Sequence, residues 1–308
     1  MQWNQIKTLF ILCFLILDIF LLQQFLSVID SRAPSESNPY SSQEEVIKEN
    51  IKGLDNLPGE TPKDSFITFK ARDFTEDDLT ELTARREQDA FILSDGDLLF
   101  SQFKEPIPIE ADSTKSEKEV KVTENMLFGS EYVYWGQDEV TGALIFFQTN
   151  NSKPIYYSQS GFIAAFVNKD NEITSYIQAA LDEVDRKEPK SMISAFKAVS
   201  NLYNAGELTL DSEITEQPEV GYYSFVDLNE GQQVFIPSWD ITINESKHYV
   251  VMGFEGQFSS HDNPMFIRNS IRRAQDGLRT TLLEEEDMDY LRNTFSDLLE
   301  STRVSGEE

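Results

Sequence analysis

The chain has 308 residues, 40% apolar and 12% aromatic with 22 phenylalanines, enough to bury one large core or two modest ones, which excludes a disordered polymer. Its 54 acidic residues against 26 basic ones leave a formal charge of −28, so phosphate backbones and anionic lipid surfaces repel it, and no nucleic acid partner is expected. The single cysteine, Cys13, lies in an apolar run, which removes disulfides, zinc cages and thiol catalysis from the rest of the chain.

Residues 9–29 read LFILCFLILDIFLLQQFLSVI, and 16 of these 21 are Leu, Ile, Phe or Val. As a helix the run is about 31 Å long, matching a hydrocarbon core of about 30 Å. Each apolar residue favours insertion by roughly 0.3 to 0.6 kcal/mol, which outweighs the cost of about 2.5 to 3.5 kcal/mol for Asp18 near the centre. A removable signal peptide fits poorly, because the run is too long and Pro34 follows the weak small-residue site at Ser31 to Ala33. The sequence predicts a retained transmembrane helix over 8–29, a cytoplasmic amino terminus over 1–7 carrying Lys7, and an extracytoplasmic bulk. Near absence of cysteine there fits a bacterium without routine disulfide use. On that helix Phe14, Leu15, Asp18, Leu21, Leu22 and Phe25 share a face without a GxxxG contact. This face is the candidate partner-binding site, with Asp18 as the polar contact between helices.

Residues 30–64 are rich in Ser, Pro, Asn and Glu, with a helical patch around 44–52, and read as a stalk. A small α+β unit is predicted over 65–120. In it SFITFKA is a strand, FTEDDLTELTARR is a helix capped by Thr75 with a Phe74–Leu79 staple, and AFILSDGDLLFSQF is a hairpin turning at Asp95 to Asp97. The polar stretch EADSTKSEKEVK, 110–121, breaks the periodicity and predicts a boundary near 120.

Over 121–260 the runs EYVYWG, ALIFFQT, PIYYSQ and GFIAAFV predict an antiparallel meander. Pro189 then opens a helix with Ile193, Phe196, Val199, Leu202 and Tyr203 on one face, closed by Gly206. Strands resume with GYYSFVDL, QQVFIPSWDITI and HYVVMGFEGQF, giving a curved sheet with a packed helix. Residues 261–308 read as a helical tail of two surface helices, one basic and one acidic, starting at Asn263 and Pro264. The fold class is α+β.

Chemistry is sparse. His248 and His261 are the only histidines and neither belongs to a motif, so both read as structural residues, His248 at the start of an edge strand. GxSxG, GxxxxGKS/T, GxGxxG and HExxH are all missing from the sequence. Carboxylate pairs suited to glycoside hydrolysis arise by chance among 54 acids, and SDGD and NKDNE fall short of a calcium loop and read as hairpin turns. Trp135 and Trp239 read as sheet packing, with a peptide or glycan groove as the minority reading. No catalytic residue, cofactor or metal is predicted.

The ordered set WNQIKTLFILCFLILDIFLL, YWGQDEVTGALIFFQT, AFKAVSNLYNAGEL, EVGYYSFV, VFIPSWDITI and HYVVMGFEGQF resembles the YycI (WalI) family, from Gln2 to about Phe258. The resemblance implies a non-enzymatic, single-pass membrane regulator that pairs with a YycH-like protein. Together the two adjust the WalK sensor histidine kinase, which governs cell-wall metabolism. It also implies an α+β soluble fold related to YycH domains. An extracytoplasmic wall-glycan-binding or scaffold protein is the alternative.

Overall fold

The structure, a computed structural model, describes residues 7, 14, 15, 17–19, 22, 39–110, 112–138, 140–227, 231–245 and 247–302. It divides into two compact units, Met1–Glu49 and Asn50–Glu308. In the first unit Lys7, Phe14, Leu15, Leu17, Asp18, Ile19 and Leu22 are helical, and helix α1 spans Pro39–Asn50. No helix among the described residues is long and apolar enough to cross a membrane, and most of the expected span 8–29 lies outside the described residues.

The second unit is α+β with antiparallel sheets. In chain order it contains β1 (Lys63–Asp64), β2 (Ile67–Ala71), α2 (Glu76–Arg85), β3 (Gln88–Leu93), β4 (Leu98–Pro108), α3 (Lys115–Asn125), β5 (Tyr132–Gln137) and β6 (Leu144–Asn150). There follow β7 (Lys153–Pro154), β8 (Phe162–Val167), β9 (Glu172–Ala179), β10 (Leu181–Arg186), β11 (Lys190–Ser191) and α4 (Ala195–Asn204). The chain then forms β12 (Glu219–Asp227), β13 (Gln232–Ile243), β14 (Lys247–Met252), β15 (Phe258–His261), α5 (Asn263–Gly277) and α6 (Glu285–Ser301).

The first sheet has the order β3-β4-β9-β8-β6-β5, with β7 added to β6. The second runs β10-β2-β13-β14-β15, with β12 on β13. Each sheet therefore takes strands from both sides of residue 120, which corrects the expected boundary between 65–120 and 121–260. The polar stretch there is helix α3, the crossover from β4 to the far edge strand β5. A reciprocal capping box starts it: Thr114 Oγ1 accepts from Glu117 N, and the Glu117 carboxylate accepts from Thr114 N at 2.7 Å. Thr75 caps α2 as its sequence predicts, and with Asp78 makes the same reciprocal box.

Alternation along the strands places side chains on both faces of the first sheet, and both faces are covered. Phe146, Ile163, Leu99 and Tyr176 pack with Leu82 of α2 and Val122 of α3 on one side. Phe147, Phe162, Phe100 and Ile177 pack on the other with Phe266, Ile267 and Ile271 of α5 and Leu291 and Phe295 of α6. Residues 263–301 are thus the third layer of the core, not a surface tail. The apolar stripe Ile267, Ile271, Ala274 and Leu278 is buried, whereas Leu282 is 99% exposed because α5 has already ended at Gly277. Arg273 on this helix donates to Asp97 Oδ2 at 2.8 Å, tying α5 to the β3–β4 turn.

Two further expectations need correction. The stalk reading of 30–64 fails from Asn50 onward. Lys52 N bonds Ser212 O at 2.9 Å, β1 pairs with β11, and buried Asp64 accepts from Tyr222 Oη at 3.0 Å and pairs with Lys153. Helix α4 starts at Ala195 with Ser194 as N-cap, six residues after Pro189, which instead precedes β11. Gly206 ends the helix as expected, at φ 81°.

Candidate functional site

A cavity of about 860 Å³ opens where the β5 end of the first sheet meets β13, β14, β15 and the start of α5. Strand register builds one wall. Asp240 and Thr242 are two apart on β13 and so share a face. Thr242 lies opposite His248 on β14, and His248 lies opposite His261 on β15. The row Thr242–His248–His261 therefore crosses three neighbouring strands, with Asp240 beside it. Because β14 pairs on both sides, His248 is not on an edge strand.

The first sheet supplies the facing wall. The Trp135 ring lies 5.0 Å from that of His248, and the Tyr157 ring stacks on His261 at 4.2 Å and 13°. Trp135 Nε1 donates to Tyr157 Oη at 3.2 Å, and Tyr157 Oη donates to Asn263 Oδ1 at 3.2 Å. Trp239, by contrast, is buried and donates to Ile193 O at 3.0 Å, which removes it from any glycan surface.

Burial raises the Asp240 carboxyl above the ordinary carboxylate range, and neighbouring His248 only partly opposes this. Its Oδ1 is 3.8 Å from His248 Nδ1, beyond hydrogen-bond reach, and has no hydrogen-bond partner among the described residues. Asp138, 1% exposed, also leaves its Oδ1 unpaired among the described residues while Oδ2 accepts from Thr141 N at 2.7 Å. Burial, with His248 adding to it, pushes His261 down to about 4, and its Nε2 is unpaired among the described residues. His261 is therefore a neutral imidazole near pH 7.

This state has a stability consequence with a definite sign. An unfolded histidine binds a proton near pH 6.5, whereas folded His261 resists it down to about pH 4. Between those values the unfolded state holds more protons, so the His261 contribution is complete above pH 6.5 and is lost on acidification through pH 4. Replacing His261→Gln is expected to reduce the fall in unfolding free energy between pH 6.5 and 4.5, read from urea denaturation, by an amount on the order of 2 kcal/mol. An unchanged pH profile would mean that the ring is not desolvated.

The cleft offers carboxylate oxygens, a neutral imidazole and an aromatic wall, which suits binding. Among the described residues no group of three or more His, Cys, Asp or Glu side chains is arranged to hold a metal. Of the expected partner-binding residues, Phe14, Leu15, Asp18 and Leu22 are helical and exposed in the first unit, whereas Leu21 and Phe25 lie outside the described residues. The sequence treats His248 and His261 as unrelated. Their signal was the GFEG turn: a four-residue connection, Gly253 to Gly256, between β14 and the run QFSSH places Met252 opposite Gln257 and, counting back, His248 opposite His261.

A family model described as YycI protein matches residues 32–254. No curated protein matches the chain. Among solved structures, an uncharacterized protein from Eubacterium rectale is similar at 11% identity and a TM-score of 0.43, covering 69% of this chain and 89% of that one. YycH from Bacillus subtilis is similar at 13% identity and a TM-score of 0.39, covering 65% of this chain and 54% of YycH.

Proposed function

The chain belongs to the YycI family, and from that premise we propose that it is a non-enzymatic regulator of the WalK sensor histidine kinase, acting with a YycH-like protein. The observation that carries this reading is the family match over 32–254, which takes in most of the second unit. Residues 8–29 anchor the chain in the cytoplasmic membrane with 1–7 inside, and the α+β unit works outside the membrane. The kinase has two helix arrangements of similar free energy, and contacts that differ between them shift the population. A regulator needs only a small differential contact energy for this, not a reaction.

Co-purification from membranes tests the proposal: the full chain should bring WalK and the YycH-like protein with it. Within the anchor, Phe14, Leu15, Asp18, Leu21, Leu22 and Phe25 form the contact face, and Asp18 supplies an interhelical hydrogen bond of roughly 0.6 to 2 kcal/mol. Asp18→Leu is therefore expected to weaken association in a membrane two-hybrid assay by about 3- to 30-fold. Unchanged association together with unchanged kinase output would remove Asp18 from the interface.

A further inference from the structure

We propose that the cleft between β5 and the β13–β15 strands binds a small organic amine in its protonated form, with Asp240 as counter-ion and Trp135 as the aromatic wall. The cavity, about 860 Å³, lies within the range of roughly 300 to 1,000 Å³ typical of small-molecule sites. Its described lining has six carboxylates, among them Glu216, Glu219 and Asp240, against two lysines, Lys115 and Lys247. Such an excess inside low-dielectric walls concentrates cations and repels phosphates and carboxylates.

Charge alone does not define a site; the buried groups do. Asp240 is 7% exposed and Asp138 is 1% exposed, and each leaves Oδ1 without a hydrogen bond among the described residues. A buried carboxylate oxygen left unpaired is costly, and an incoming ammonium supplies both the missing donor and the missing charge. The His248 imidazole, 3.8 Å from Asp240, does not fill that role. Trp135 is half-buried and lines the same space, so its indole can attract the cation and cover its methylenes. The neutral His261 ring adds no competing positive charge at pH 7. A divalent metal fits less well, because no set of three ligating side chains converges among the described residues.

The test is calorimetric titration of the full chain in detergent micelles with cadaverine, 1,5-diaminopentane, and with 1,5-pentanediol as its uncharged analogue. The expected result is saturable one-site binding of cadaverine, at least tenfold weaker binding of the diol, and at least a tenfold loss in Asp240→Asn. The Glu286→Gln variant, which removes an acid from the remote helix α6, should leave binding unchanged. Glu219→Gln at the exposed rim should weaken binding about twofold, and it keeps the test decisive if Asp240→Asn does not fold. Equal affinity for amine and diol, the absence of saturation at millimolar amine, or equal losses in Glu219→Gln and Glu286→Gln would overturn the proposal and reduce the effect to non-specific attraction by a polyanion. Because the titration uses the isolated chain, its failure leaves the kinase-regulator reading untouched.

Discussion

Deleting residues 263–308 is expected to abolish cooperative folding of the second unit, although the family match ends at 254 and the segment looks like an appendage. Helices α5 and α6, with Leu278 directly after α5, bury Phe266, Ile267, Ile271, Leu278, Leu291 and Phe295 against the first sheet. At about 1.5 to 3 kcal/mol for each large apolar side chain, their loss matches the whole stability of an ordinary domain, about 5 to 15 kcal/mol. The sheet face left behind carries Phe100, Phe147 and Phe162, an exposed aromatic patch prone to aggregation. A single substitution separates packing from chain length. Phe295 is fully buried and meets Phe100 edge to face at 5.0 Å, so Phe295→Ala should cost about 3 to 5 kcal/mol in urea denaturation. A truncated chain that unfolds with the full chain's midpoint and slope would show instead that the two helices contribute nothing to the core.

The same pair of helices shows where the sequence could be read and where it could not. Local signals were legible: Thr75 before an acidic first turn, the Asp95 to Asp97 hairpin, and Gly206 after α4 each appear as expected. Non-local partnerships were not. ALIFFQT and GFIAAFV are continuous apolar runs, which in antiparallel strands require both faces to be covered, yet the sequence does not say which helices cover them. The stripe on 267–278 has the right period for a core helix, but its arginines suggest a surface, since Arg273 finds its partner Asp97 at a sequence separation of 176. The stretch 110–121 conceals its structure for the opposite reason. Its capping box T-K-S-E was present, but weak apolar periodicity hid a helix whose buried residue, Val122, follows just after that stretch. For the cleft, residue identities were visible, while the burial that makes Asp240 and His261 unusual depends on the approach of two sheets.

That approach is controlled at Gly221, and Gly221→Ala is expected to disturb stability and cleft together. A glycine inside a strand sacrifices backbone entropy and packing, so its presence in β12 calls for a physical reason. The reason is close passage of the β7–β8 connection. Tyr156 N donates to Tyr222 O at 2.8 Å, and Ile155 bridges Tyr222, so the two sheets are joined at this point. A Cβ on Gly221 would overlap the Pro154 carbonyl oxygen and the Tyr156 ring. The Pro154 oxygen is backbone and the Tyr156 ring is fully buried, so neither can simply rotate away and the strands must separate, at a cost of about 1 to 3 kcal/mol. Separation carries Tyr156 and Tyr157 with it, and Tyr157 holds both the Trp135 contact and the stack on His261. Gly59→Ala is the control, because a Cβ there meets nothing within 4 Å and should leave the urea midpoint close to the parent's, with the unfolding free energy within about 0.5 kcal/mol. Gly221→Ala should lower that midpoint and also weaken cadaverine binding, coupling two readouts that a purely local packing defect would leave independent. A Gly221→Ala chain with parental midpoint and parental amine affinity would show that the joint between the sheets is compliant and does not set the width of the cleft.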